Sequence, residues 1–363
     1  MKAPFEILGF DHVAYLVGNA KQAAYYYQSQ YGFELVAYRG LETGDRDMAS
    51  YVLKQNKCIF VLSSPLSAES ELNEQLRLHG DGVTDIAMTV TDAEAAWKYT
   101  TGKGAVSVAE PHAVSGDSGD VVLATIKTYG DTLHTFVERK NYQGVFLPGF
   151  EPAESLLNVE PVGLEIVDHI VGNQPDGDME QVANWYQDVF GFKRMWTVDD
   201  EDIQTDYTSL RSIVVADERE IIKMPINEPA PGKKKSQIQE YVDYYSGAGV
   251  QHVALLTGDI ISTVGELRDR GAEFLPTPRT YYEELESRVG KIDEDIEVLA
   301  ELGILVDRDD DGYLLQIFTK PVQDRPTLFY EVIQRKGARS FGKGNFKALF
   351  ESIEREQERR GNL

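Results

Sequence analysis

Six histidines stand in this 363-residue chain, and two of them open closely similar stretches, FDHVAYLVGN at residues 10–19 and VDHIVGN at residues 167–173. A third, His252, lies in GVQHVAL, which matches GVTDIAM at residues 82–88 and so stands opposite Asp85. The runs TLHTFVER and TLFYEVIQR end in Arg139 and Arg335, and aligning these arginines sets Thr135 opposite Glu331. The second half therefore offers His169, His252 and Glu331 where the first offers His12, Asp85 and Thr135. Two imidazoles and one carboxylate on neighbouring strands make the facial ligand set of non-haem Fe(II) oxygenases, which leaves about three positions open for substrate and O₂. A lone histidine in an apolar strand is usually a packed core group, but three candidates at repeat-equivalent positions point to one metal site. His12 has no such company and is expected to pack. His79, His112 and His134 fall outside the matched positions and take no function.

The elements that must hold these groups repeat as well. AKQAAYYYQSQYGFELVAY and MEQVANWYQDVFGFKRMW each follow an Asp-His strand, and each reads as an amphipathic helix stopped by glycine and then a strand. GVTDIAMTVTDAEAAWKYTTGKGAVSV and GVQHVALLTGDIISTVGELRDRGAEFL give strand, helix, glycine and strand again. The expected fold is α+β: four βαβββ modules paired into two open, barrel-like domains, each sheet curled round a cavity. Residues 1–150 would form a degenerate domain without metal, and residues 151–363 the metal-binding domain. LPGFEPAESLLNVEP, residues 147–161, is the linker candidate.

Composition narrows the function. An apolar fraction of 42% supplies real cores, and 60 acidic against 36 basic residues give a net charge of −24, which argues against nucleic acid as a partner. No apolar run reaches the roughly 20 residues of a membrane span. The opening MKAPFEILGFDH carries no secretory pattern, and one cysteine, Cys58, excludes an intrachain disulfide, so a cytoplasmic protein is expected. Three motifs are decoys. DRDDDG at 307–312 opens like a calcium loop, but its twelfth position is Phe318 instead of the bidentate Glu, so an acidic hairpin turn is expected. Lys233–Lys235 reads as a solvated loop. FGKGNF at 341–346 lacks the ending of a phosphate-binding loop and reads as a glycine hinge entering a helix. That helix sets Phe346, Leu349, Phe350 and Ile353 on one face, with Glu351, Glu354, Arg355 and Arg359 expected in solvent on the other.

From about residue 161 onward the chain resembles the 4-hydroxyphenylpyruvate dioxygenase family of the vicinal-oxygen-chelate superfamily. VDHIVGN, PINEP, KSQIQ, GVQHVAL, ELGILVDRDDDG, LLQIFTKP, FYEVIQR and FGKGNFKALFESIE carry the resemblance, and GFDHV and YYYQSQYGFE extend it loosely into the first half. The resemblance implies an Fe(II) enzyme converting 4-hydroxyphenylpyruvate and O₂ to homogentisate and CO₂ in tyrosine catabolism, assembled as a homo-oligomer. It implies a polar network of Ser212, Asn227, Gln237, Gln251 and Gln316 near the substrate. It also implies that Phe318, Phe329, Phe341, Asn345 and Phe346 bind the substrate. Reactive oxygen must be shielded from water, so the C-terminal helix entered through Gly342 and Gly344 is expected to act as a lid. Strict alternation would turn Gln251 away from His252, so a bulge is required there. Two other functions fit the same fold: 4-hydroxymandelate synthesis from the same substrate, and binding without catalysis.

Overall fold

The computed structural model describes residues 3–155, 157–198 and 209–362. The first module is β1 (Ile7–Leu16), α1 (Ala20–Tyr31), β2 (Glu34–Arg39), β3 (Met48–Gln55) and β4 (Cys58–Pro65). A short helix α2 (Leu72–His79) leads to the second: β5 (Gly82–Val90), α3 (Ala93–Thr101), β6 (Ser107–Gly116), β7 (Gly119–Lys127) and β8 (Leu133–Glu138). The two-residue strand β9 (Glu151–Pro152) follows. The third module is β10 (Leu164–Asn173), α4 (Met179–Phe190), β11 (Lys193–Val198), β12 (Ser209–Ala216) and β13 (Lys223–Ala230). Helix α5 (Gln237–Tyr245) leads to β14 (Gly249–Thr257) and α6 (Ile260–Asp269). Three short helices then intervene, α7 (Thr280–Glu283), α8 (Leu285–Val289) and α9 (Ile296–Leu302), before β15 (Leu305–Arg308), β16 (Tyr313–Phe318) and β17 (Phe329–Lys336). Helix α10 (Phe346–Arg360) ends the fold.

Modules one and two form one sheet, ordered β6-β7-β8-β5-β1-β4-β3-β2-β9, and modules three and four a second, ordered β11-β12-β13-β10-β14-β17-β16-β15. The same local chemistry starts and stops the paired helices. Asn19, Asp92 and Asp259 each accept a backbone N–H at the start of α1, α3 and α6, and Gly32 and Gly191 end α1 and α4 in the left-handed conformation. Only the Asp-His parts of the two opening stretches superimpose. His12 and His169 pair with Ala87 and Ala254 at matching points, which places Asn173 opposite Leu16, while Asn19 lies beyond its strand as a helix cap.

The linker candidate begins inside the first domain: Phe146, Leu147 and Phe150 pack on its sheet, and β9 pairs with β2. The two halves share one core. His134 of β8 reaches the Tyr186 hydroxyl of α4 at 2.7 Å, and Tyr330 of β17 packs among Tyr27, Tyr31 and Phe60. No helix among the described residues is long and apolar enough to cross a membrane. The acidic motif is the β15–β16 hairpin turn, where Asp309 accepts the N–H groups of Asp311 and Gly312, and Lys233–Lys235 is exposed.

Candidate active site

Three adjacent strands bring the site together. His169 on β10 and Glu331 on β17 both lie in register with Ala254 on the strand between them, and His252 sits two residues from Ala254 on that same strand. Residues two apart share a face, so the three functional side chains converge above the small methyl of Ala254. The His169 Nε2 is 3.1 Å from Glu331 Oε2, and the His252 Nε2 is 3.3 Å from it. The three ligand atoms all fall within 4.8 Å of one another. With metal–ligand bonds of about 2.1 Å, neighbouring ligands of an octahedral ion lie about 3 Å apart, so the spacing suits one ion. All three residues are buried. Burial opposes the Glu331 carboxylate, but the His169 and His252 imidazoles hold its pKa down at about 2. The carboxylate is thus ready in the ionised form that a cation requires.

Bulges aim both imidazoles. In β10 the register slips at Asp168, and in β14 it slips at Gln251. Each bulged residue then turns back onto the histidine that follows it: His169 Nδ1 lies 2.7 Å from Asp168 Oδ1, and His252 Nδ1 lies 2.9 Å from Gln251 Oε1. Occupying Nδ1 leaves Nε2 as the lone-pair donor of each ring. The bulge that alternation demanded at Gln251 is present. Asp168 is itself clamped, since Arg335 donates two bonds of 2.9 Å and Lys223 one of 3.1 Å. Burial raises the Asp168 pKa, but His169 and Arg335 more than offset this and keep it far below the usual carboxylate range. Asp168, Lys223 and Arg335 were not picked out as functional from sequence, although the repeated Asp-His dipeptide and the matched arginines were visible there.

Above the triad lies a cavity lined by Ser212, Asn227, Gln237, Gln251, Phe318, Phe329, Phe341 and Phe346 together with the three candidate ligands. Ser212 and Asn227 are a cross-strand pair on β12 and β13, and Gln237 is the first residue of α5. Phe329 stacks on the His252 ring at 4.8 Å, while Phe318 meets it edge-on at 5.9 Å and Phe341 meets His169 edge-on at 5.1 Å. Gln316 and Asn345 stand outside this lining. Both are fully buried: Asn345 accepts the Tyr281 hydroxyl at 2.6 Å, and the Gln316 amide lies against Gly342 with no hydrogen-bond partner among the described residues. Gly342 has φ 78°, and any side chain there would collide with that amide.

Helix α10 closes the cavity with Phe346, Leu349 and Phe350, and Leu349 and Ile353 also pack against Phe318 and Phe329. Its other face differs from the expectation. Arg355 and Arg359 are exposed, but Glu354 is buried at 6% exposure and Glu351 is half-buried, because α10 sinks into the domain instead of lying on it. Among the described residues the lining contains no lysine or arginine. An anionic ligand here would need a metal ion to meet its charge.

Similarity to known proteins agrees with the geometry. A model described as Hydroxyphenylpyruvate dioxygenase, N-terminal, matches residues 1–148, and the Glyoxalase/Bleomycin resistance protein/Dioxygenase superfamily model matches residues 166–317. The 4-hydroxyphenylpyruvate dioxygenase of Xenopus tropicalis is 55% identical over 98% of this chain and 93% of its own length, and that of Dictyostelium discoideum is 52% identical over 98% and 100%. The chain belongs to the 4-hydroxyphenylpyruvate dioxygenase family. Among solved structures, a triple mutant of 4-hydroxymandelate synthase from Streptomyces coelicolor matches with a TM-score of 0.85 at 30% identity, covering 96% of this chain and 98% of that one. The dioxygenase family thus shares the fold with a synthase that is more distant in sequence.

Proposed function

We propose that His169, His252 and Glu331 hold Fe(II) and that the enzyme converts 4-hydroxyphenylpyruvate and O₂ to homogentisate and CO₂, a step of tyrosine breakdown. The observation that carries this is the convergence of two imidazole Nε2 atoms and one carboxylate oxygen at the floor of an apolar cavity. Bound there, the metal supplies chelation of the 2-oxo acid and activation of O₂. The chain's own residues do the rest. Asp168 and Gln251 hold the two imidazoles in the tautomer that leaves Nε2 free. Phe318 and Phe346 pack the aryl ring so that the carbon bearing the side chain is the one attacked. Ser212, Asn227, Gln237 and Gln251 form the polar network around the substrate. Gln316 is held behind Gly342 and is the group that movement of the 341–345 strap would release towards the cavity. Phe346, Leu349 and Phe350 exclude water while reactive oxygen is present. Residues 1–150 serve as a scaffold without metal, residues 151–363 as the catalytic domain, and the enzyme works as a cytoplasmic homo-oligomer.

Chromatography of the product tests this directly. Fe(II)-loaded enzyme given 4-hydroxyphenylpyruvate should form homogentisate. Formation of 4-hydroxymandelate would assign it to the synthase reaction, and absence of metal-dependent O₂ uptake would make it a binding protein.

A further inference from the structure

Strand β17 presents Phe329 and Glu331 to the cavity and sends the residue between them, Tyr330, to the opposite face. There Tyr330 crosses into the first half and is fully buried. Its hydroxyl lies 2.8 Å from that of Tyr27 and 3.1 Å from that of Tyr15. The Tyr27 ring is 5.2 Å from Tyr26, which is half-buried. Tyr15, Tyr26 and Tyr27 line a surface crevice together with Asp81 and Gln22. Packing alone does not account for these phenols. A buried hydroxyl has to find a partner or it is destabilising, and phenylalanine would fill the same space without that requirement. The result is a continuous line of oxidisable side chains, beginning next to a metal ligand in sequence and ending at a crevice.

We infer that Tyr330, Tyr27 and Tyr26 form a one-electron relay that carries oxidising equivalents away from the metal site when O₂ is activated without productive attack on the substrate. Tyr330 gives one electron to the metal site, and its phenolic proton passes to the Tyr27 oxygen while the Tyr27 proton leaves to water in the crevice. A hydrogen atom then moves from Tyr27 to the Tyr330 oxygen, breaking one O–H bond and forming the other. Tyr26 next gives an electron and a proton to Tyr27 by way of crevice water. A one-electron reductant of the ascorbate class finally restores Tyr26 with a hydrogen atom. The net change is one electron moved from the external reductant to the metal site and one proton released to water. The relay rests on the proposed O₂-activating metal site, and it adds a protective function to it.

The test uses the full-length, Fe(II)-loaded enzyme with O₂ and an aliphatic 2-oxo acid, which offers no ring to attack. Rapid-freeze EPR of the wild type should show a tyrosyl radical that ascorbate quenches, and peptide mass spectrometry should place oxidation at Tyr26 and Tyr27. Tyr330→Phe should lose the radical, shift oxidation to cavity residues such as Phe318, and inactivate after several-fold fewer turnovers. Tyr27→Phe should keep a radical on Tyr330 that ascorbate quenches poorly. With 4-hydroxyphenylpyruvate, both variants should form homogentisate at the wild-type initial rate, and unchanged melting temperatures would show that they fold. O₂ uptake with no tyrosyl radical, or an equal signal in Tyr330→Phe, overturns the relay and leaves the metal site standing. No metal-dependent O₂ uptake in the wild type overturns both.

Discussion

The two halves of this chain keep the same support for a histidine and put it to different uses. In the first, His12 Nδ1 lies 2.7 Å from Asp11, and Arg139 donates two bonds of 2.8 Å to that carboxylate, just as Arg335 clamps Asp168 in the second. Strand pairing fixes the remaining correspondences. Asp85 faces Leu133 as His252 faces Phe329, which puts Thr135 in the place of Glu331, and Thr125 pairs with Thr135 as Phe318 pairs with Glu331. With the ligands gone, the first site closes on itself. Thr135 donates to Asp85 through both its backbone and its hydroxyl, while the Phe146 ring stands 5.0 Å from His12 much as Phe341 stands 5.1 Å from His169. The clamp is kept where the other two candidate ligands are not, because it has a structural task of its own. It satisfies a buried carboxylate and ties two strands of one sheet, a need that is the same whether or not an ion is bound.

That contrast can be broken at several points. The largest effect belongs to the ligands: Glu331→Ala should abolish homogentisate formation, whereas Thr135→Ala should leave it near wild type, and equal losses would erase the distinction between the halves. Next comes Phe318, which the first half replaces with Thr125. In Phe318→Ile the ring should shift, and a displacement of about 1 Å can cost about 100-fold in the normal path. Product analysis should then show 4-hydroxymandelate beside homogentisate, and exclusive homogentisate would speak against a steering role. Removing the clamp is expected to act through the imidazole. Asp168→Asn should weaken Fe(II) binding by roughly 10–100-fold, the usual cost of losing such a support. Asp11→Asn should lower the melting temperature with no change in Fe(II) affinity. The smallest change in metal content is expected from deleting residues 342–363, since the first half has no counterpart of α10. The truncated enzyme should bind Fe(II) but consume more O₂ than the homogentisate it makes. One homogentisate per O₂ would show that α10 is not the gate.

Much of this comparison was legible in the amino-acid sequence, for identifiable reasons. His169, His252 and Glu331 emerged because the repeat fixed their positions and only one copy carries groups able to ligate a metal at all three. The modules followed from helix periodicity and glycine stops, except that the strand expected at 272–275 is a single bridge from Phe274 to Thr319 and β15 takes its place after α7–α9. The lining of the cavity came from resemblance, because a serine or asparagine in a strand carries no local sign of what it faces. What stayed hidden depends on long-range contacts. The bulge at Gln251 was inferred as a requirement but could be located only by strand register. Glu354 reads as a solvent-facing position by helical spacing, but its burial depends on how deeply α10 docks. Tyr330 looks like one more aromatic in a strand until the first half is seen to close over it. The helices α7–α9 fill a space that the first half spans with a direct connection, and no repeat could announce them.

Of the two similarly supported histidines, His169 is expected to hold metal and His12 to hold none. Anaerobic loading with Fe(II), followed by elemental analysis, measures this most directly when wild type, His169→Ala and His12→Ala are compared. The expected result is one iron per chain in the wild type and in His12→Ala, and essentially none in His169→Ala. Two irons per chain in the wild type, or full occupancy in His169→Ala, would contradict it.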